Sequence, residues 1–350
     1  MKTITVNASK KYDVIVGNDL LSKTGSYLSK VTKPGKAAII SDSNVWPLYG
    51  ATVKHSLQSS GYETVSFIFP AGEASKNSDT YIQILNFLAQ SGLSRSDTVV
   101  ALGGGVTGDM AGFAAATYMR GIPFIQLPTS LLAMVDSSVG GKTAIDLPAG
   151  KNLAGAFCQP ILVLCDLNTL SSLPDEVFRD GCAEVIKYAI LYDEKLFSHL
   201  NTHGLFFDRE AVISRCIELK RDVVALDEFD RGERQKLNLG HTVGHGIEAC
   251  SDYTVSHGQA VASGMAIISK SSAKYGICDI ELYDKVCQVL DLFMLPKTTG
   301  YLAEAIYLAA LSDKKRSGGT VNLIVPKAIG ECIIRPTPVE EVKSFFEAGL

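Results

Sequence analysis

The first half of the chain repeats short apolar segments that are rich in β-branched residues and end in small or polar ones. Four of them are AAIISDSNV, TVSFIFPAG, DTVVALGGG and FIQLPTS. Strands buried in a parallel sheet have this composition, because both faces of such a sheet are covered. Apolar residues at helix spacing lie between the second and third segments, from Tyr81 to Leu88. The pattern predicts a Rossmann-like α/β domain with a parallel sheet, preceded by a hairpin of TITVN and YDVIVG.

The second half has a different pattern, in which most segments favour helix. The predicted helices are 180–192, 208–226, 233–250, 258–275, 281–293 and 302–311. A β-type pair, TVNLIVP and GECIIRP, precedes a last helix in PVEEVKSFFEAGL. A chain of 350 residues usually exceeds one hydrophobic core. We therefore expect an α/β domain over 1–172 and a mainly α-helical domain over 173–350.

Charge and cysteine content exclude several classes of protein. The net charge of -4 argues against a nucleic-acid partner, since phosphate binding needs a basic surface. Eight cysteines without a CxxC pair indicate reduced thiols and a cytoplasmic protein. The first residues alternate apolar and polar side chains and resemble no signal peptide, and no apolar run approaches the ~18 residues of a membrane span.

A glycine-rich turn follows the third strand segment, in DTVVALGGGVTGDMAGF. Gly103, Gly105 and Gly108 satisfy GxGxxG, in which backbone N–H groups at a helix N-terminus approach a pyrophosphate. The alternative is a tight strand-to-helix turn without a ligand. No acidic residue ends a strand about twenty positions downstream, where the ribose partner is expected. We expect Asp42, which ends an upstream strand, to make that contact, and the PAGEASK segment adds further polar groups.

The segment PTSLLAMVDSSVGGKTAIDLPAGKN is rich in glycine and serine and is predicted to be a long irregular loop. Loops of this length in a compact domain are usually functional, although a solvated loop is the simpler alternative. Its two lysines among glycines, Lys142 and Lys151, suit a phosphate or the polar edge of a cofactor.

The helical half holds the candidate metal ligands. His241 and His245 lie four apart and share one helix face, and His257 follows a short turn-rich interval. Two of these histidines and one carboxylate would supply the three ligands of a catalytic zinc site, but the spacing does not say which two. Glu184 and Lys187 lie three apart on one predicted helix, where a surface ion pair is the alternative.

Several long motifs in this order resemble the 3-dehydroquinate synthase family of sugar-phosphate cyclases over nearly the whole chain. They are GGGVTGD, AATYMRGIPFIQLPTSLLAMVDSSVGGKTAID, GKNLAGAFCQP, AEVIKYAI, LNLGHTVGHGIE and SHGQAV. The resemblance implies that Glu184, His241 and His257 hold Zn²⁺ or Co²⁺ and that His245 acts on the substrate. It also implies a lyase of the shikimate pathway that converts 3-deoxy-D-arabino-heptulosonate 7-phosphate to 3-dehydroquinate and phosphate, using NAD for a transient oxidation.

The resemblance further implies sets of binding residues. For NAD these are Asp42, Asn44, Glu73, Lys76, Gly105, Val106, Thr107, Gly108, Asp109, Thr129, Ser130, Asp136, Lys142, Lys151, Thr169, Leu170, Ser171 and Ser172. For the phosphorylated sugar acid they are Lys142, Asn152, Lys187, Lys220, Arg234, Asn238, His245 and one of Lys314 and Lys315. Arg120 resembles an arginine that reaches a neighbouring subunit's phosphate site, which implies a homodimer.

Two positions depart from the family's common pattern. Gln259 stands where glutamate is common, and we interpret it as a position near the metal ligands that tunes metal binding. Ser130 replaces a frequent threonine and keeps the hydroxyl. A sister cyclase for sedoheptulose 7-phosphate or glucose 6-phosphate, a metal-dependent polyol dehydrogenase and a non-catalytic nucleotide-binding regulator are the alternatives. The substrates of the sister cyclases have no carboxylate, so they would leave Lys220 and Arg234 without a partner. A dehydrogenase would release NADH as a product. A regulator would need only the motifs of the first domain, so the second domain's intact set argues against it: Glu184, His241, His245, His257, Lys220 and Arg234.

Overall fold

The computed structural model describes residues 1–311 and 319–350. The chain divides into two units, of which the first comprises Met1–Leu173 and Arg209–Phe229. The second comprises Pro174–Asp208 and Asp230–Leu350. The expected boundary at 172 lies one residue from the first division, whereas the segment Arg209–Phe229, expected in the helical domain, packs with the first unit.

The first unit is built on a sheet whose described strands number seven. They are β1 (Lys2–Asn7), β2 (Lys11–Gly17), β3 (Lys36–Asp42), β4 (Glu63–Phe69), β5 (Thr98–Gly103), β6 (Phe124–Pro128) and β9 (Leu162–Asp166). Their order is β1-β2-β9-β6-β5-β3-β4. β1 pairs antiparallel with β2, as the predicted hairpin requires, and every other neighbouring pair is parallel.

Successive side chains of the central strands enter two different cores, because a strand alternates its faces. Ile39 of β3 packs in one core with Leu57, and Ile40 packs in the other with Ile84. Helices therefore cover both faces of the sheet. Those of this unit are α1 (Thr24–Leu28), α2 (Ala51–Ser59), α3 (Ser78–Gln90), α4 (Gly105–Thr117) and α7 (Arg209–Leu226). The predicted parallel α/β fold is confirmed.

The second unit is mainly helical, as predicted. Its helices are α5 (Asp175–Tyr192), α6 (Glu194–His203), α8 (His241–Cys250), α9 (His257–Lys274), α10 (Ile280–Leu292), α11 (Ala303–Leu311) and α12 (Val339–Gly349). β10 (Thr320–Ala328) and β11 (Glu331–Pro338) form the expected antiparallel pair. Gly264 of α9 lies so close to α8 that a Cβ there would be 2.1 Å from the Gly240 carbonyl oxygen. Close packing of this kind holds the first turn of α8 against α9.

Two predicted segments differ in the structure. The helix expected over 233–250 is broken into a 3₁₀ turn, Glu233–Asn238, and α8, because Gly240 has a left-handed φ of 77°. The expected irregular loop contains an antiparallel pair, β7 (Lys142–Leu147) and β8 (Gly150–Phe157). Within the described residues no helix is both long and apolar enough to cross a membrane.

Candidate metal centre and cofactor site

Three helices of the second unit bring a carboxylate and two imidazoles together. Glu184 of α5 has its Oε1 3.4 Å from Nε2 of His241 and 3.3 Å from Nε2 of His257. The ligand atoms of this group all lie within 4.8 Å of one another. Two imidazole nitrogens and one carboxylate oxygen are a common protein ligand set for catalytic zinc, which leaves one coordination position open. The donor set therefore fits a divalent transition metal.

Neighbouring charges keep the carboxylate of this cluster ionised. Glu184 is fully buried, and burial opposes its charge, but the Lys187 ammonium and the two histidines outweigh burial and hold the pKa of Glu184 well below its usual value. Lys187 lies one helical turn later and forms a buried ion pair with Glu184. An ionised carboxylate is the form that binds a metal, so Lys187 holds Glu184 in that form, while its own ammonium would repel the cation.

The two histidines of the cluster differ in charge. Burial and the nearby Lys187 ammonium lower the pKa of His241, which keeps its imidazole neutral. Burial also opposes the charge on His257, but the carboxylates of Glu184 and Glu248 outweigh it and raise the pKa of His257 to about 10. The pair of carboxylates thus attracts positive charge to His257, and a bound divalent cation would supply that charge in place of the proton.

His245 lies beside the cluster. The contacts with Oε1 of Glu184 are made by His241 and His257. His245 follows His241 by one turn of α8, and its ring centroid lies 5.5 Å from that of His241 and 6.3 Å from that of His257. Its side chain is exposed. The i, i+4 histidines therefore have different surroundings: His241 faces Glu184, and His245 is accessible to a ligand in solution.

Sequence reasoning missed Glu248, a carboxylate that lies against the cluster. Glu248 is only 2% exposed, and its Oε2 lies 3.5 Å from Nδ1 of His257. It follows His241 by seven residues, so the two share one face of α8 two turns apart. This spacing was visible in the motif HTVGHGIE, but a glutamate on a helix is usually a surface residue.

Gln259, interpreted from the sequence as a position near the metal ligands, is exposed. Two residues along a helix rotate a side chain by about 200°, so Gln259 points away from the face that His257 occupies. Its backbone N–H donates to Oδ1 of Asp180, 3.1 Å away, and the Ser256 hydroxyl donates to the same oxygen at 2.5 Å. Asp180 of α5 thereby fixes the first turn of α9, on which His257 lies.

Of the other predicted substrate residues in the second unit, two are buried and one is exposed. Arg234 lies in the 3₁₀ turn before α8 and is 1% exposed, as is Lys187. Asn238 ends the same turn and is exposed. Lys314 and Lys315 lie outside the described residues.

In the first unit the glycine-rich turn joins β5 to α4, as predicted. A Cβ on Gly103 would lie 2.4 Å from the Thr107 hydroxyl, and one on Gly108 would lie 2.5 Å from Oε1 of Gln126. Packing therefore requires the glycine at 103, whereas at Gly108 the contact is with the end of the Gln126 side chain. A Cβ on Gly105 would meet no atom closer than 3.4 Å. The lack of a side chain at Gly105 leaves space at the N-terminus of α4, where a phosphate can bind backbone N–H groups.

A buried lysine organises the polar groups near this turn. Nζ of Lys76 donates to Oδ2 of Asp109 at 2.6 Å and to Oδ1 of Asn152 at 2.5 Å. Burial opposes the charge on Lys76, but the carboxylates of Asp109 and Glu73 outweigh it and raise its pKa. Lys151 lies 3.6 Å from Glu73. The structure thus brings five of the predicted binding residues into one network.

Other predicted cofactor residues follow the carboxyl ends of parallel strands, where nucleotides bind in such sheets. Asp42 ends β3 and accepts hydrogen bonds from the backbone of Asn44 and Val45 and from the Thr107 hydroxyl. Thr129 and Ser130 follow β6, and the run Thr169–Ser172 follows β9. The carboxylate of Asp42 therefore accepts three hydrogen bonds from other groups of this protein.

Three further predicted residues of this unit lie on other elements than the glycine-rich turn. Nζ of Lys220, on α7, donates to the backbone oxygen of Asp136 at 2.6 Å and forms an ion pair with its carboxylate. Lys142 begins β7 and is exposed. Arg120 follows α4, is exposed and has a left-handed φ of 69°. Lys220 thus belongs to the same unit as the cofactor residues.

Comparisons with known proteins agree over the whole chain. A family model described as 3-dehydroquinate synthase N-terminal matches residues 66–180, and one described as 3-dehydroquinate synthase C-terminal matches residues 181–316. A 3-dehydroquinate synthase of Streptococcus suis (strain 05ZYH33) is 43% identical over 352 residues, which cover 98% of this chain and 99% of that protein.

Two solved structures share the fold. A 2-deoxy-scyllo-inosose synthase complexed with carbaglucose-6-phosphate, NAD⁺ and Co²⁺ superposes with a TM-score of 0.90 at 24% identity, with all of both chains covered. ValA, a 2-epi-5-epi-valiolone synthase from Streptomyces hygroscopicus subsp. jinggangensis 5008 with NAD⁺ and Zn²⁺ bound, gives a TM-score of 0.89 at 25% identity, covering 99% of this chain and 98% of that one.

Proposed function

The chain belongs to the 3-dehydroquinate synthase family, and we propose that it converts 3-deoxy-D-arabino-heptulosonate 7-phosphate to 3-dehydroquinate and phosphate. The observation that carries the proposal is the group of Glu184, His241 and His257 around a fully buried carboxylate, whose donors suit a catalytic metal. Identity of 43% over nearly the full length favours this reaction over those of the sister cyclases, which are 24% and 25% identical.

We propose that Glu184, His241 and His257 bind Zn²⁺ or Co²⁺. When bound, the metal would act as a Lewis acid on the hydroxyl that is oxidised and on its neighbour, lowering the pKa of the reacting alcohol. Burial of Glu184 and its ion pair with Lys187 support this role, because an ionised carboxylate in a dry site is a strong ligand.

NAD would bind at the glycine-rich turn of the first unit, with its pyrophosphate at the N-terminus of α4. The open space at Gly105 supports this position, and Asp42 remains the proposed ribose partner. When bound, NAD accepts a hydride from the substrate and later returns it, so the reaction needs NAD without consuming it. The network around Lys76 would fix the polar edge of this site.

Several basic side chains would bind the anionic substrate. Arg234 suits the carboxylate, because a guanidinium binds it through two parallel hydrogen bonds, and Lys220 would add a second positive charge. His245 is the proposed proton carrier, since imidazole titrates near neutral pH and this ring is accessible. The other proposed substrate residues are Lys142, Asn152, Lys187, Asn238 and one of Lys314 and Lys315.

Oxidation of one alcohol acidifies the neighbouring carbon, so phosphate leaves by elimination, which makes the enzyme a carbon–oxygen lyase. Reduction, ring opening and an intramolecular aldol closure then give the carbocycle. We further propose a homodimer, in which Arg120 reaches the phosphate of the neighbouring subunit. A cytoplasmic location is supported by the cysteines, all eight of which are free thiols in the structure.

The test follows phosphate release and NADH absorbance in one cuvette, with the heptulosonate phosphate, NAD and zinc. The expected result is stoichiometric phosphate release with no net NADH, and loss of the phosphate release when a chelator removes the metal. Accumulation of NADH would instead identify a polyol dehydrogenase. Phosphate release from sedoheptulose 7-phosphate, with none from the heptulosonate, would identify a sister cyclase.

A further inference from the structure

We propose that Glu248 is a positioning residue for the metal: its carboxylate holds the imidazole of His257 so that Nε2 faces the metal position. The inference rests on the proposed metal site of Glu184, His241 and His257. Oε2 of Glu248 lies 3.5 Å from Nδ1 of His257, whereas Nε2 on the opposite side of the ring lies 3.3 Å from Glu184. A carboxylate at Nδ1 favours the tautomer with its proton on that nitrogen, which leaves the Nε2 lone pair for a metal.

The burial of Glu248 supports this role. A carboxylate that is 2% exposed carries a high desolvation cost unless its charge meets a partner. Glu248 lies on α8, two turns after the ligand His241, so one helix carries both a ligand and the group that orients another ligand. The carboxylate and His257 are therefore held by two helices that pack closely together.

His257 needs such a partner more than His241 does. His241 is 12% exposed in its side chain and its Nδ1 lies 3.1 Å from the carbonyl oxygen of Leu239, which already fixes its ring with Nε2 facing Glu184. His257 is the first residue of α9, and its side chain is 31% exposed. Packing restrains this ring less, so the restraint must come from its neighbours Glu184 and Glu248.

The same argument distinguishes Glu248 from Gln259. Gln259 follows His257 by two positions, is exposed, and contacts Asp180 through its backbone N–H. Its side chain lies on the far side of α9 from the metal ligands. Gln259→Glu therefore serves as a control. Like Glu248→Gln it exchanges an amide and a carboxylate near His257 in sequence, but the carboxylate that it adds does not approach Nδ1 of His257.

The experiment measures zinc affinity of the full-length protein by competition with a chromogenic chelator, together with the visible spectrum of the Co²⁺ form. Glu248→Gln is expected to weaken zinc binding by about 10- to 100-fold and to alter the Co²⁺ bands. Gln259→Glu is expected to keep the wild-type affinity and spectrum. Glu248→Asp, which keeps the charge on a shorter side chain, is expected to recover part of the lost affinity.

Wild-type affinity and an unchanged Co²⁺ spectrum in Glu248→Gln would overturn the inference, and so would an equal loss in Gln259→Glu. Circular dichroism of the chelated proteins verifies that each variant is folded. If Glu248→Gln does not fold, the Co²⁺ spectrum of Glu248→Asp decides, because a shorter carboxylate moves the His257 ring and a wild-type spectrum would count against the proposal. Failure of the wild-type protein to bind zinc would instead refute the proposed metal site itself.

Discussion

Replacing Lys187 with methionine tests whether the buried negative charge of Glu184 requires a neighbouring positive charge for stability. Glu184 and Lys187 have side chains that are 0% and 1% exposed, so water stabilises neither charge. Two unit charges about 4 Å apart interact by roughly 4 kcal/mol at an effective dielectric constant of about 20. Removing one partner of a buried pair costs about 3–5 kcal/mol, because the remaining charge is buried without compensation.

We therefore expect Lys187→Met to lower the free energy of unfolding of the chelated protein at pH 7 by at most about 3–5 kcal/mol, since His257 still faces Glu184. Zinc should reduce that loss, since a divalent cation beside Glu184 replaces the missing charge and is no longer repelled by the ammonium. A reduction of about 1.4 kcal/mol corresponds to a zinc site that is tenfold tighter. The lowered pKa of Glu184 stabilises the wild type fully above its unfolded value of 4.5, and this contribution is lost as pH falls through the folded pKa.

The assay is urea unfolding followed by circular dichroism, with a chelator and with excess zinc. Lys236→Met is the matched control: Lys236 pairs with Glu233 three positions earlier at 2.7 Å, but that carboxylate is 57% exposed. An exposed pair of this kind contributes less than about 0.5 kcal/mol. Equal losses in the two chelated variants, or a Lys187→Met loss that zinc leaves unchanged, would refute the reasoning.

Three other substitutions test the first unit. Gly105→Ala should leave the unfolding midpoint unchanged or raise it, since alanine favours helix by up to about 1 kcal/mol, yet weaken NAD binding measured by fluorescence titration. Gly103→Ala should instead cost about 1–3 kcal/mol in urea unfolding, because its Cβ would lie 2.4 Å from the Thr107 hydroxyl and 2.7 Å from the Thr107 Cβ; the reverse ranking of the two variants would contradict the packing argument. Burial opposes the charge on Asp97, but backbone N–H groups of Ser94 and Lys36 outweigh it and lower its pKa. Asp97→Asn should therefore cost about 1–3 kcal/mol at pH 7, and unfolding curves at several pH values should show the difference shrinking as pH falls below 3.8; a loss that is independent of pH would contradict this assignment.

The sheet could be predicted from the sequence because its central strands are buried on both faces and carry few polar residues. β7 and β8 were missed because their segment is rich in glycine and lysine and its second strand is largely exposed. Residue spacing predicted α7 as a helix, but an amphipathic pattern does not identify the unit that its apolar face contacts. Val212 and Ile213 of α7 are buried, and the helix packs on β1 of the first unit.

The candidate metal site was predictable in its chemistry and less so in its geometry. Spacing alone placed His241 and His245 on one helix face, but it could not show that the other ligands would come from the middle of α5 and the first residue of α9. The position of His257 depends on how Asp180 fixes the first turn of α9, which is a contact between distant parts of the sequence. Glu248 was missed for the same reason, since its burial depends on the packing of α8 against α9.

The return of α7 to the first unit affects how the protein can be synthesised and dissected. Neither unit is a continuous stretch of chain, because Pro174–Asp208 separates the first 173 residues from α7. During translation the N-terminal sheet emerges from the ribosome well before α7, the helix that packs on β1. The apolar surface of the sheet therefore stays uncovered until α7 has been synthesised. A truncation after Leu173 would leave that surface uncovered and should yield an aggregating fragment, whereas adding Arg209–Phe229 through a short linker should give a fragment that remains dispersed.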